Sequence, residues 1–247
     1  MDGLHAGSGA LDLDPQVGEI LVTTEGIEDG QQHIWEGFPA PAANSMTIYL
    51  FYYQRADEVA AAVQRGEHPL LSLYERFFTT LPRYKRGDLR LLRPTYGYIP
   101  AYTRLGLGNP PAAPHDRVLL VGDAAARHSP LTFCGFGAMI RSFWPITQGL
   151  CRLLESDRLD RRALAALWRD DRHDTSPPAL EVMGGLTLMM MPPLGGALEE
   201  PDGINQLLDA AFATLSGMGE STYAEFLQDR VDASTFIRFM FGSAARH

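Results

Sequence analysis

The chain has 247 residues, enough for one large domain or two small ones and for a substantial buried core. Its net charge of −9 argues against a nucleic-acid partner and against electrostatic attachment to an anionic membrane. Two cysteines, Cys134 and Cys151, suit a reducing compartment rather than a disulfide framework. The opening Met1-Asp2-Gly3-Leu4-His5 lacks the basic region and apolar core of a signal peptide. No apolar run reaches the roughly 20 residues of a spanning helix. The expected location is cytoplasmic.

Residues 1–15 are rich in Gly and Asp and read as loose. Three strand patterns follow. Val17–Thr24 lies between Pro15 and Gly26, Gln31–Phe38 ends at Pro39, and Met46–Gln54 is rich in Ile, Tyr and Phe. Glu28-Asp29-Gly30 supplies a turn between the first two, because Asp-Gly accepts positive φ. Short links between successive strands predict an antiparallel meander. Alternation sets Ile34, Glu36 and Phe38 on one face of the second strand, with His33, Trp35 and Gly37 on the other. Glu36 is the acid that stands out. It lies on a solvated face or pairs with a cation, or apolar burial raises its pKa and makes it a proton donor.

Asp57–Gln64 and Pro69–Leu81 read as helices. In the second, Leu70, Leu73, Phe77 and Leu81 fall at helical steps behind a starting Pro69. Leu89–Tyr98 reads as a strand that Pro94 places at an edge or a bulge. Tyr96, Tyr98 and Tyr102 add aromatic surface. Gly106–His115 is a Gly/Pro/Asn loop.

Val118–Val121 is a continuous apolar run, the pattern of a strand buried on both faces. Asp123 would then sit just past the carboxyl end of that strand, where open α/β sheets bind ligands. A loop follows, stiffened by Pro130 and loosened by Gly135 and Gly137. From about Phe136 a helical pattern runs through Met139, Ile140, Phe143, Ile146 and Leu150. Glycines at the mouth of a helix let a ligand approach free backbone N–H groups, where the dipole favours negative charge. A carboxylate beside such a helix start suits a ligand with hydroxyls and phosphates. An ordinary strand–loop–helix connection fits a lone Gly-Asp step as well. Cys134, at the same helix start, is a candidate reactive thiol or a small packing residue.

Pro145 is expected to kink or break the helix. Leu159–Arg172 is an amphipathic helix with Leu164 and Leu167 inward. Ala179–Leu194, with Met183, Met189, Met190 and Met191, suits a packed helix or an irregular apolar ligand. Ile204–Leu215 and Thr222–Phe241 complete a helical end. No metal-spacing motif appears.

The segment with Gly122-Asp123, Pro130 and Gly135-Phe136-Gly137-Ala138 resembles the second flavin-binding motif of the FAD-dependent oxidoreductases. More narrowly, His128-Ser129-Pro130-Leu131-Thr132-Phe133-Cys134-Gly135-Phe136-Gly137 is similar to the form found in bacterial and cyanobacterial-type lycopene cyclases. The likeness extends upstream to Gly18-Glu19-Ile20-Leu21-Val22, Ile34-Trp35-Glu36-Gly37-Phe38-Pro39, Thr47–Tyr53, Tyr84-Lys85-Arg86-Gly87 and Pro94–Pro100. It covers roughly residues 18–155.

The resemblance implies an α+β (mixed α/β) chain, the C-terminal part of a glutathione-reductase-like FAD fold. Residues 1–105 would hold an antiparallel substrate-binding sheet, 106–155 the flavin-binding segment and 156–247 a helical region. It implies reduced FAD, with NAD(P)H as reductant, held through Gly122, Asp123, Pro130, Gly135, Phe136, Gly137 and Ala138. It further implies a lipophilic carotenoid substrate, peripheral membrane contact and the redox-neutral cyclisation of lycopene ends. Glu36 is then the best available acid. Trp35, Tyr49, Phe51, Tyr96 and Tyr98 are candidate walls that stabilise a cation.

Two features depart from the family. There is no strand–G-x-G-x-x-G–helix unit, since Gly7-Ser8-Gly9 follows no apolar strand. The chain therefore resembles the C-terminal portion of a longer flavoprotein, and FAD binding by it alone is expected to be poor. The strand Thr47–Tyr53 also lacks the paired glutamates of plant-type cyclases. Two rivals stand beside cyclisation. One is another flavoenzyme of the geranylgeranyl-reductase or monooxygenase kind. The other is a non-catalytic fragment that cannot hold FAD.

Overall fold

The computed structural model describes residues 1–28, 31–54, 56–100, 115–125, 135–170, 201–228 and 230–246. Contacts divide the chain into two units, Met1–Tyr98 with Met191–Leu208 and Ile99–Met190 with Asp209–His247. The first boundary between these units falls at Tyr98, beside the expected one at 105. The described residues form seven α-helices and two small antiparallel sheets, an α+β arrangement.

In the first unit the three strand patterns become β2 (Glu19–Val22), β3 (Ile34–Pro39) and β4 (Met46–Phe51). They pair in the order β2-β3-β4, antiparallel throughout, as the short links require. Glu28 and Gln31 exchange backbone hydrogen bonds of 3.1 and 2.8 Å, closing the expected turn; its central residues lie outside the described ones. β3 and β4 match residue for residue from Ile34–Phe51 to Pro39–Met46.

The helical patterns become α1 (Ala56–Gln64) and α2 (Pro69–Tyr84). Pro69 opens α2, where its missing N–H costs nothing. The inner face of α2 brings Phe77, Leu81 and Tyr84 against Trp35, which is fully buried. Trp35 and Tyr84 stack with centroids 4.8 Å apart. Gly37 lies beneath this pair, where a β-carbon would collide with the Tyr84 hydroxyl and the Met46 side chain. The backbone must pass close to both groups, so glycine is required there.

Residues 1–15 are not loose. β1 (Asp2–Leu4) pairs with β5 (Gly87–Arg90), and Leu4, Asp12 and Leu13 are buried. Asp12 holds the segment by accepting hydrogen bonds from the Gly9 N–H (3.0 Å) and from Arg86, with the His5 ring 3.1 Å away. Composition misled here because a single buried acid orders the glycines around it. The expected strand over Leu89–Tyr98 ends at Arg90, and residues 91–100 carry no regular structure. Pro94 cannot donate to a ladder, which fits an extended segment that leaves the sheet early.

Val118–Val121 is not a buried strand. Val118 and Val121 are exposed, while Leu119 and Leu120 pack against Ala125 and Ile146. A 3-10 turn, Gly122–Ala125, follows, and then α3 (Gly135–Glu155). Both sheets among the described residues lie in the first unit, so the run has no neighbouring strand to pair with.

Pro145 does not break α3, which continues to Glu155. The expected amphipathic helix is α4 (Arg161–Asp170), N-capped by Asp160, which accepts from the N–H groups of Arg162 and Ala163 at 3.0 Å. Leu164 and Leu167 face inward, as their spacing predicts. The expected Thr222–Phe241 helix is two helices. After α5 (Pro201–Gly217), the chain forms α6 (Glu220–Leu227) and α7 (Ala233–Arg246). Asp232 restarts the second by accepting from the Thr235 N–H at 2.8 Å. Pro130, Cys134, Tyr102 and the Met-rich Ala179–Leu194 segment lie outside the described residues.

Candidate functional site around Glu36

β3 presents Glu36 on the face away from Trp35, directly opposite Tyr49 of β4. Its same-face neighbours on β3 are Ile34 and Phe38. The Phe38 and Tyr49 rings meet edge to face at 5.9 Å, and Phe51 meets Tyr53 in the same way at 6.1 Å. Glu36 is half-buried, and among the described residues no hydrogen bond or ion pair reaches its carboxylate. Burial alone pushes its pKa above the ordinary glutamate range. Burial also pushes the Tyr53 phenol up, with the Glu36 charge adding to the effect. Of the two structural readings of Glu36, pairing with a cation is therefore not what the strand provides.

Trp35 does not belong to this face. It is a core residue on the opposite side of the strand, with its indole N–H donating to Thr24 Oγ1 at 3.2 Å. Tyr49 and Phe38 are 51% and 38% exposed, so the aromatic face is open rather than a closed dry pocket. Tyr96 and Tyr98 are exposed, and Tyr96 contacts Tyr74 at 5.8 Å. Glu36 lines neither of two cavities in this unit. One, of about 340 Å³, is bordered by Glu28, Arg76 and Arg83. The other, of about 540 Å³, opens on Glu19, Tyr84, Val22, Thr24, Pro201 and Asp202.

Sequence reasoning missed the polar groups beneath these cavities. Lys85 is fully buried and donates to Glu19 at 2.5 Å and to the Asp12 carbonyl at 2.9 Å, with its ammonium 4.8 Å from the Tyr84 ring centroid. It sits at the C-cap of α2 in an extended conformation, which turns a residue flanked by Arg83 and Arg86 inward. The Tyr84 hydroxyl has no partner at hydrogen-bond geometry, and burial, with Glu19 beside it, pushes its pKa up. Near the smaller cavity, buried Glu25 meets Arg76 at 3.3 Å and Arg83 at 3.7 Å, while Arg76 donates to Glu28 at 2.6 Å. His33 is buried beside this group. Burial, then the Arg76 charge, push its pKa down to about 4. Tyr84-Lys85-Arg86 was a visible string, but nothing local distinguishes a buried lysine from an exposed one.

The flavin-like residues can be placed individually. Asp123 lies exposed within the 3-10 turn, not at a strand end, and the preceding Gly122 has φ +56°. Gly135, Phe136, Gly137 and Ala138 form the first turn of α3, with the Phe136 side chain 73% exposed. Gly137 is not open to a ligand. A β-carbon there would collide with the Leu227 carbonyl of α6, so the glycine serves a close helix contact. Arg141, one turn on, donates to the Gln228 carbonyl in the same junction. Two of these described residues are placed differently from what the resemblance implies. Asp123 lies in a turn rather than past a strand end, and Gly137 faces the Leu227 backbone.

No group of His, Cys, Asp or Glu among the described residues is arranged to hold a metal ion. None of the described helices is long and apolar enough to cross a membrane. No protein-family model, curated protein or solved structure matches the chain.

Proposed function

We propose that the Glu36 face is an acid site for an apolar, electron-rich alkene, as in lycopene cyclisation. The observation that carries this reading is a half-buried carboxyl group, unpaired among the described residues, with its pKa raised and aromatic rings around it. Such a group keeps its proton closer to neutrality than a solvated glutamate, which a donor to carbon requires.

The chemistry balances without net electron transfer. The Glu36 carboxyl gives its proton to the terminal double bond of a polyene end, leaving a tertiary carbocation. A neighbouring double bond attacks that cation, closing a ring and moving the charge into it. Loss of a proton from the adjacent ring carbon to the Glu36 carboxylate restores a double bond and the acid, so substrate and product are isomers. The rings of Phe38, Tyr49 and Phe51 line the face on which charge develops and attract a cation through their π faces. The cyclase resemblance also brings reduced FAD to the reaction. No step above passes through it.

Two observations favour a second reading. The Glu36 face is open and Gly137 is packed against Leu227, as expected of a chain that folds and binds apolar ligands without catalysis. Expression of the chain in lycopene-accumulating cells decides between them. Cyclic carotenoid formed by the parental chain and lost in Glu36→Gln is the expected result. Lycopene left unchanged by the parental chain would remove the cyclase reading, and equal product from both chains would remove Glu36 from it.

A further inference from the structure

The three-stranded sheet closes one of its edges and leaves the other open. At the β2 edge, Leu21 adopts φ +61° and the register with β3 is irregular between Glu19 and Val22. Just past the strand, the Asn205 side chain occupies the Thr23 backbone. Its oxygen accepts from the Thr23 N–H at 2.9 Å, and its amide donates to the Thr23 carbonyl at 3.1 Å. A bulged edge capped by an amide offers no template to another strand.

β4 has none of these protections. Met46–Tyr53 contains no charge, proline or glycine, in a chain whose net charge is −9. The Ala40 N–H donates to the Ser45 carbonyl at 3.0 Å, which fixes the parity of the ladder. Hydrogen-bonded pairs follow at Phe38–Thr47, Glu36–Tyr49 and Ile34–Phe51. Met46, Ile48 and Leu50 therefore turn their N–H and C=O groups away from β3. Met46 uses both on Met1: its N–H donates to the Met1 carbonyl at 3.1 Å, and its carbonyl accepts from the Met1 ammonium at 2.9 Å. This edge is competent to pair, and it pairs at that end. Among the described residues, the outward groups of Ile48 and Leu50 meet no partner. Unpaired backbone groups along an uncharged strand are a template for another chain.

We propose that this edge pairs with the same edge of a second copy, antiparallel about a two-fold axis at Tyr49. In that register Ile48 faces Leu50 of the second copy and Leu50 faces its Ile48, so each outward N–H and C=O finds its complement. Tyr49 faces its own counterpart and Thr47 faces Phe51. Other centres fail. A centre at Ile48 sets Leu50 against Met46, whose groups Met1 already holds. A centre at Leu50 sets Ile48 against Tyr52, beyond the end of β4. The strand carries no charge, so pairing with its own copy sets no like charges face to face across the axis. Directly opposed residues share a face, so the seam sets two Glu36 surfaces side by side on one continuous sheet.

Sedimentation velocity across a concentration series, with amide exchange read at single residues, tests the seam. A dimer is expected for the parental chain, with slow exchange at the Ile48 and Leu50 amides. Tyr49→Lys places two ammonium groups opposite each other at the axis. It is expected to give a monomer in which those two amides exchange at least about tenfold faster. If Tyr49→Lys loses its folded circular-dichroism signature, Thr47→Lys, facing Phe51 of the second copy, takes its place. A parental chain that stays monomeric overturns the proposal. So does a dimer whose Ile48 and Leu50 amides exchange freely, or one that survives the folded lysine variant.

Discussion

β3 and the Val118–Val121 run both read as strands in the sequence, each a short stretch rich in apolar residues and ended by proline or glycine. One is a fully paired central strand, and the other is irregular chain with its two valines exposed. The difference lies in where the pairing partner comes from. β3 has partners immediately before and after it in the chain, joined by short links that bring the backbones together at small entropic cost. A strand buried on both faces in a parallel sheet needs neighbours delivered by crossover connections from farther away. Hydrophobic pattern alone says that a segment wants burial; it does not supply the partner.

The largest test of this contrast is a pair of truncations. Trp35→Ala removes a fully buried ring stacked on Tyr84 and tilted against Phe77 and is expected to cost about 3–5 kcal/mol in urea unfolding. Val118→Ala, at a residue 39% exposed, is expected to fall within about 0.5 kcal/mol of the parental chain. Comparable losses from both would mean that Val118 is buried in a sheet after all, and the contrast would collapse.

A second substitution sharpens the comparison inside the flavin-like segment. If Gly137 stood open for a cofactor, alanine in the first turn of a helix would leave stability unchanged or raise it by up to about 1 kcal/mol. The Leu227 carbonyl occupies that space, so Gly137→Ala is expected to destabilise by about 1–3 kcal/mol as α3 and α6 are pushed apart. A more stable variant would contradict the packed glycine and restore the open one.

These cases also show what could be read from the sequence and why the reading stopped. The meander, α2 with its proline start, and the inward Leu164 and Leu167 followed from patterns a few residues long. Each depends on contacts between near neighbours in the chain. Asp12, Lys85 and Gly137 could not be read in this way. Asp12 is ordered by Arg86, Lys85 is buried by Glu19 and the Asp12 carbonyl, and Gly137 is fixed by Leu227. All three owe their roles to partners distant in sequence. Glu36 lies between these extremes. Alternation placed it on the correct face opposite Trp35, but only the fold reveals that the face is open to solvent and that no cation among the described residues pairs with the carboxylate.

The smallest effect bears on that acid directly. Glu36 has a folded pKa raised by burial above its unfolded value of 4.5. Below pH 4.5 both states are protonated and the group is neutral in its effect on folding. As pH rises from there through the folded pKa, the folded state binds more protons than the unfolded one, so the stability that protonated Glu36 allows is lost. Glu36→Gln has no proton to lose and keeps the shape. The two proteins should therefore match in stability near pH 4. The glutamine variant should become the more stable toward pH 8, by less than about 1 kcal/mol, since water screens a half-buried group. Urea unfolding at several pH values reads the difference. A glutamine variant that is less stable at pH 8 and equal at pH 4 would reverse the sign. That result would mean the carboxylate is held by a cation, with its pKa lowered rather than raised, and a group so held is a poor donor of protons to carbon. The same measurement separates the two uses of the strand, because a proton-donating Glu36 costs the fold a little stability, whereas an ion-paired Glu36 would contribute some.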